Sequence, residues 1–359
     1  MIKYLGSKRR LVPVLGEISA RAGARRALDL FTGTTRVAQE LKRRGAEVTA
    51  VDTARYAEVF AQCYVALDGD AVDTGAIRDA LRDLAARPDV DGYVTETFCE
   101  RSRFFQPHNG RRIDAIRDAI EQDYRSSWMY PVLLTSLIEA ADRVDSTTGV
   151  QMAYVKQWAP RSFRPLELRV PELVCGTGRA VRADARDAVR ELGRFDLAYL
   201  DPPYNQHRYF TNYHVWETLV AWDAPVHYGV ACKRVDAREP ETKSVFNERR
   251  AMPDALAQVI RDVDADLVVV SYNDESWVSI EQLEAMCAAR GDYVRSLAFA
   301  SRRYVGAQIG IHNPSGEKVG TVSHLRNIEY VVCAGERALV ERVTEPGAWE
   351  CISTATSHS

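Results

Sequence analysis

No two of the seven cysteines stand at a C-x-x-C spacing; they are scattered singly at Cys63, Cys99, Cys175, Cys232, Cys287, Cys333 and Cys351. A zinc site of the usual ligand spacing is therefore not supported, and no metal site is expected. No apolar run approaches the roughly 20 residues of a membrane span. After Met1 the stretch Leu11–Leu15 is short and Glu17 ends it, so no secretory leader is read and a reducing cytoplasm is the expected setting. Internal repeats and low-complexity tracts are missing, and so is a large excess of one charge: the net charge is −3 over 359 residues. That excludes a uniformly basic, histone-like protein and leaves a nucleic-acid partner open.

What is present is globular in composition. Hydrophobic residues make up 46% and charged residues 27%, which excludes wholesale disorder, a collagenous fibre and a coiled coil. Length alone suggests about two domains. Charge is unevenly placed. Residues 1–45 hold eleven Lys/Arg against three Asp/Glu, a local +8, and residues 101–112 hold Arg101, Arg103, Arg111 and Arg112 with no acid. Such clusters are either solvated faces or the footprint of a polyanion.

Hydrophobic patterning predicts an α/β fold. Residues 26–31 read as a buried strand running into a turn, 35–44 as a helix and 47–51 as a second strand with Asp52 at its C-terminal end. Downstream, 180–183 is a strand ending at Asp184 and 195–200 is a strand running straight into Asp201-Pro202-Pro203-Tyr204. Residues 266–272 form another, followed by a helix over 280–290, with further strands at 293–300 and 328–333. Between the halves, 88–175 carries two helical faces (Ile113, Ile116, Ile120, then Val132 to Ala141) and Pro160, Pro165 and Pro171. The expected organisation is one α/β domain over 1–87 and 176–359, interrupted by a mostly helical insert over 88–175.

Three segments carry chemistry. Asp201–Tyr204 follows a buried strand, where open parallel sheets bind ligands. Two prolines fix the backbone and remove two donors. A carboxylate, a rigid carbonyl and an aromatic face suit a flat ring with an exocyclic amino group: both N–H bonds are accepted and the ring stacks. A surface turn with a capping Asp is the alternative. In Asp29-Leu30-Phe31-Thr32-Gly33-Thr34-Thr35, Gly33 allows close backbone approach to a ligand, and a helix N-terminus follows. Asp52, about twenty residues on, is placed to bind ribose hydroxyls or to cap a helix. At the N-terminus, Lys3-Tyr4-Leu5-Gly6-Ser7-Lys8 could hold an anion and a ring, or be a basic arm. Phe210, Tyr213 and Trp216 line a base pocket or belong to the core, and the spacing of three favours the core.

In this order the segments resemble the alpha-class, Dam-like adenine-N6 DNA methyltransferases, and the layout looks like the single halves of the FokI-system methyltransferase. The resemblance covers nearly the whole chain. It assigns Tyr4, Lys8, Asp29, Phe31, Gly33, Asp52 and, more loosely, Asp184 to binding S-adenosyl-L-methionine, with Thr35 where the family has a second Gly. It assigns Asp201, Pro202, Pro203 and Tyr204 to catalysis, and it matches Ser271-Tyr272-Asn273-Asp274 to a later strand motif. It implies a Rossmann-like parallel sheet with one reversed strand, an inserted target-recognition region, and double-stranded DNA as partner. The implied reaction is methyl transfer to the N6 of a flipped-out adenine at a specific site. A restriction endonuclease is then a functional, not necessarily physical, counterpart. By that analogy Arg101, Arg103, Asn109, Arg111, Arg112, Lys156, Arg161, Arg302 and Arg303 are candidate DNA contacts, among Phe104, Phe105, Trp158 and Arg164. Two other functions stand beside this: an RNA adenine methyltransferase, and a catalytically silent DNA-binding protein of the same fold.

Overall fold

The computed structural model describes residues 2–6, 8–152, 154–155, 157–203, 206–302, 311–312, 318–320 and 326–345. The chain divides into two compact units: residues 1–16, 25–188 and 207–244 form the first, and 17–24, 189–206 and 245–359 the second.

The first unit holds three parallel strands, β1 (Arg26–Leu30), β2 (Glu47–Asp52) and β3 (Gly178–Arg182), in the order β3-β2-β1. The last four residues of β1 are all buried, as are Val48–Val51 of β2, so both strands are buried on both faces, with only Asp29 and Thr49 polar among these residues. Helix Arg36–Arg43 links β1 to β2 and buries Val37, Ala38 and Leu41. The expected strand–loop–helix–strand unit is therefore present to within a residue or so at each end. Two π-helical turns, Gln62–Ala66 and Thr95–Glu100, were not foreseen. The carbonyls at the end of the first are held by Lys42, whose Nζ donates to Val65 at 2.8 Å and Leu67 at 2.6 Å.

Residues 88–175 contain the two expected helices, Pro107–Tyr124 and Tyr130–Val144. They do not stand apart as a unit of their own. Arg117, fully buried, donates to the Leu219 carbonyl at 2.6 Å and the Val220 carbonyl at 3.2 Å, capping helix His214–Ala221. Tyr93 donates to the Pro225 carbonyl, and Tyr64 donates to Glu139 at 2.6 Å. These long-range polar contacts bind the segment into the first unit.

The second unit holds β4 (Phe195–Leu200), β5 (Ala265–Asn273), β6 (Tyr293–Arg302) and β7 (Arg326–Gly335), in the order β4-β5-β7-β6. β4 and β5 are parallel, and β7 runs antiparallel to both β5 and β6. β7 is thus the single reversed strand. Valines 268–270 are fully or almost fully buried, which suits β-branched side chains in a strand covered on both faces. Among the described residues, no helix is long and apolar enough to cross a membrane.

One buried carboxyl in the first unit is poorly satisfied. Glu217 is fully buried; its Oε1 accepts the Arg55 amide at 2.9 Å, while Oε2 has no hydrogen-bond partner. Burial pushes its pKa up to about 7, against the lowering effect of Arg55. Between the ordinary value and about 7 the native state keeps a proton that the unfolded chain has lost, so this group's contribution to stability falls as pH rises through that window. Glu217→Gln should therefore be more stable than wild type at pH 8, by roughly 1–3 kcal/mol, with the advantage vanishing near pH 4. Thermal melts at the two pH values check this, and a difference independent of pH would refute it.

Candidate active site

In the first unit the chain leaves β1 in an unusual conformation. The Phe31 and Thr32 amides both donate to the Val51 carbonyl, at 3.0 and 2.9 Å. Phe31 and Thr35 have φ of 73° and 61°, the left-handed region that non-glycine residues seldom occupy. Thr35 sits where the resemblance expects glycine, and its backbone still adopts a glycine-like conformation. Its hydroxyl accepts from the Gln39 side chain at 2.9 Å and thereby joins the following helix. Backbone strain of this kind persists where the surroundings fix it, and functional loops are where it concentrates.

Two carboxylates fix this loop. Asp29, almost fully buried, accepts the Thr32 hydroxyl at 2.8 Å and the Ala38 amide at 3.0 Å through Oδ2, which braces the loop against its helix. Asp52, at the end of β2, accepts the Gly33 amide at 2.9 Å through Oδ2 and the Ala54 amide at 3.0 Å through Oδ1. The Thr53 amide also points its hydrogen bond at this carboxylate. Burial raises the Asp52 pKa, and the surrounding amides oppose that rise. One strand further, Ala183 donates to the Asp52 carbonyl, which sets Asp184 just beyond the end of β3. Burial acts to raise the Asp184 pKa, but Arg186, bonded to Oδ1 at 3.0 Å, holds it below the usual range.

Over the loop lies a cluster of tyrosines. The Tyr4 ring stacks on Tyr213 at 4.7 Å and on Tyr209 at 5.3 Å between centroids. Its hydroxyl lies 3.1 Å from that of Tyr56, and the Leu5 amide donates to the Tyr213 hydroxyl at 2.7 Å. A Cβ on Gly33, whose φ is +52°, would stand 3.0 Å from the Tyr4 ring, so glycine is required there on two counts. Lys8 is buried. Tyr213 and Trp216 are core residues, as their spacing favoured, and Tyr213 also supports Tyr4.

In the second unit, register builds the site. Leu200 of β4 pairs with Val270 of β5, so the next residues, Asp201 and Ser271, are neighbours. Ser271 donates to Asp201 Oδ1 at 3.1 Å, and its oxygen lies 2.7 Å from the Tyr199 hydroxyl. Ser271 is fully buried and Asp201 half-buried, so the carboxylate is anchored from beneath by a buried hydroxyl. Pro202 is buried and Pro203 half-buried. The sequence pattern located the Ser271 segment but not this role for Ser271.

The DNA-contact candidates separate into groups. Asn109 is fully buried: its amide donates to the Ser162 and Arg164 carbonyls and accepts the Leu166 amide, so it clamps a loop and is not available to a base. Arg112 caps helix Thr74–Ala86 through the carbonyls of Leu84 and Ala85 and pairs with Asp89. Arg161 donates to Asp145 and to the Thr147 carbonyl, each at 2.6 Å. These three act within the protein. Arg101 and Arg111 are paired to Glu96 and Asp91 with much of each side chain exposed, and Arg103 lies over the Trp158 ring at 4.7 Å. Phe104 and Phe105 are core, whereas Phe163, not singled out in the sequence, is 62% exposed beside exposed Arg164. Tyr204, Lys156 and Arg303 lie outside the described residues, and of Arg302 only the backbone, paired with Arg326, is described.

Residues 4–286 match the family of D12 class N6 adenine-specific DNA methyltransferases. The chain belongs to this family. The type II methyltransferase M.NlaIII of Neisseria lactamica is 29% identical over 307 residues, covering 81% of this chain and 89% of that protein. M.CviAII, a type II methyltransferase of Paramecium bursaria Chlorella virus 1, is 30% identical over 304 residues, with 81% and 89% covered. M.FokI of Planomicrobium okeanokoites is 25% identical over 311 residues; the match spans 81% of this chain but only 47% of that longer protein.

Membership in this family makes both anchored strand ends testable. Gly33→Ala should weaken cofactor binding at least about tenfold and cost roughly 1–3 kcal/mol of stability, read by calorimetry and thermal melts; unchanged binding would show that the loop does not need its left-handed glycine. Ser271→Ala should lower kcat about 10- to 100-fold, the worth of one hydrogen bond to a charged group. Cofactor affinity should hold in that variant, and steady-state kinetics with wild-type kcat would remove Ser271 from the site.

Proposed function

We propose that this methyltransferase binds S-adenosyl-L-methionine in the first unit's loop and methylates the N6 of an adenine flipped out of a specific site in double-stranded DNA. The observation that carries the reading is the Asp201 carboxylate, anchored by Ser271 at the end of a buried strand. The first unit fits the cofactor. Asp52 stands at the end of β2 with acceptor capacity for ribose hydroxyls, Gly33 lets the loop backbone pass close under Tyr4, and Tyr4 offers a fixed ring. Bound there, the cofactor supplies a methyl group activated on a sulfonium.

The rest falls to the chain. An adenine amino group is a poor nucleophile because its lone pair is delocalised into the ring. Asp201 and the Pro202 carbonyl accept its two N–H bonds, which favours a pyramidal nitrogen with its lone pair free to attack. Alignment supplies most of the rate. The proton leaves after the new C–N bond forms, so Asp201 need not be a strong base. A base inside a duplex is out of reach, and extrusion costs a few kcal/mol. Arg101, Arg103, Arg111 and Arg164, with exposed Phe163, are the residues of the first unit best placed to hold DNA. The names of the relatives support a restriction endonuclease as the functional counterpart, acting in the cytoplasm.

Asp201→Ala should reduce methyl transfer to duplex DNA by at least about 100-fold while calorimetry gives an S-adenosyl-L-methionine affinity within a few-fold of wild type. Transfer near the wild-type rate would overturn the mechanism. Loss of cofactor binding would instead place Asp201 in the cofactor site.

A further inference from the structure

A cavity of about 450 Å³ in the first unit is lined by Arg9, Arg36, Arg43, Arg143 and Arg169. Only two acids, Glu139 and Glu172, share the lining, so five guanidiniums face two carboxylates. None of the loop, tyrosine or strand-end residues described above takes part, apart from Tyr64, whose hydroxyl donates to Glu139.

The positive charge is incompletely answered within the protein. Arg36 and Arg43 lie on one face of helix Arg36–Arg43, with buried Gln39 between them. The Arg36 Nε is buried with no hydrogen-bond partner, a state that costs free energy unless a ligand accepts a hydrogen bond from it. Arg36 is held below its ordinary pKa first by burial and then by the charge of Arg9. Arg143 is shifted the same way, first by burial and then by Arg169. Two like-charge pairs thus face one cavity. The bonds these arginines do make are weak or leave N–H groups over: Arg143 donates to the Glu167 carbonyl, Arg43 lies 3.9 Å from Glu40, and the Arg169–Glu167 pair is largely exposed.

Guanidinium forks match the oxygens of a phosphate, which can accept from several at once. The cavity exceeds what one phosphate needs and leaves room for an attached group. We propose that this cavity is a phosphate-binding site, filled either by a free phosphate or phosphorylated small molecule or by a backbone phosphate of DNA. The cavity adjoins the proposed cofactor loop through Gln39, which donates to Thr35, but its lining arginines take no part in that loop, and the proposal does not rest on the methyl-transfer reading.

The test compares the full chain with Arg143→Gln/Arg169→Gln and with Arg169→Gln alone, the latter an exposed position whose loss leaves the fold intact. Thermal melts in sodium phosphate are set against sodium chloride at equal ionic strength. Anisotropy of a labelled duplex is followed against salt. If a free phosphate is the ligand, phosphate raises the wild-type Tm beyond chloride and the double variant loses at least half of that increment. If DNA is the source, the double variant lowers the slope of log affinity against log salt by about one or more. Either result supports the site. A phosphate increment that is absent or equal in wild type and double variant, together with an unchanged salt slope, overturns it.

Discussion

The hydrogen bond from the Gly33 amide to Asp52 is the constraint on which the first unit's site depends. It ties the loop after β1 to the end of β2, and so sets a left-handed turn that Phe31 and Thr35 must share. Two non-glycine residues in that region cost on the order of 1–3 kcal/mol each. Asp29, braced against Thr32 and Ala38, and Thr35, bonded to Gln39, help to hold the conformation. The result is a surface of backbone and small side chains beside which Tyr4 is held, with Asp52 as the brace that shapes it.

The second unit reaches a comparable result with strand register. Pairing of Leu200 with Val270 sets Asp201 beside Ser271, and Tyr199 stands beneath Ser271. A buried hydroxyl then gives a half-buried carboxylate a fixed direction. In both units the acid proposed to act is the residue at, or just after, the end of a buried strand, where the chain leaves the core and side chains can meet a ligand.

Much of this was legible in the sequence. Short runs ending in Asp52, Asp184 and Asp201 marked strand ends, since an acid inside a buried strand needs dedicated partners, as Asp29 in β1 has in Thr32 and Ala38. The Asp-Pro-Pro-Tyr string then named the chemistry. Less legible was anything set by distant partners. Arg112, Arg161 and Asn109 were candidate DNA contacts, since a side chain that caps a helix or clamps a loop and one that grips DNA have the same sequence signature. Their partners lie 14 to 57 residues away. Residues 88–175 looked separable for the same reason: the long-range bonds of Arg117 and Tyr93 are invisible to periodicity. The conformation of Thr35 was hidden too, because threonine is the wrong residue from which to expect a left-handed turn.

The amino group of an adenine in DNA is what Asp201 is proposed to orient. Nucleoside mass spectrometry of unmethylated genomic DNA, incubated with the protein and S-adenosyl-L-methionine, addresses it directly. N6-methyladenine should accumulate as the modified base. N4-methylcytosine in its place would keep the fold and the donor but contradict the base, and DNA left unmodified while an RNA substrate gained the methyl group would contradict the substrate.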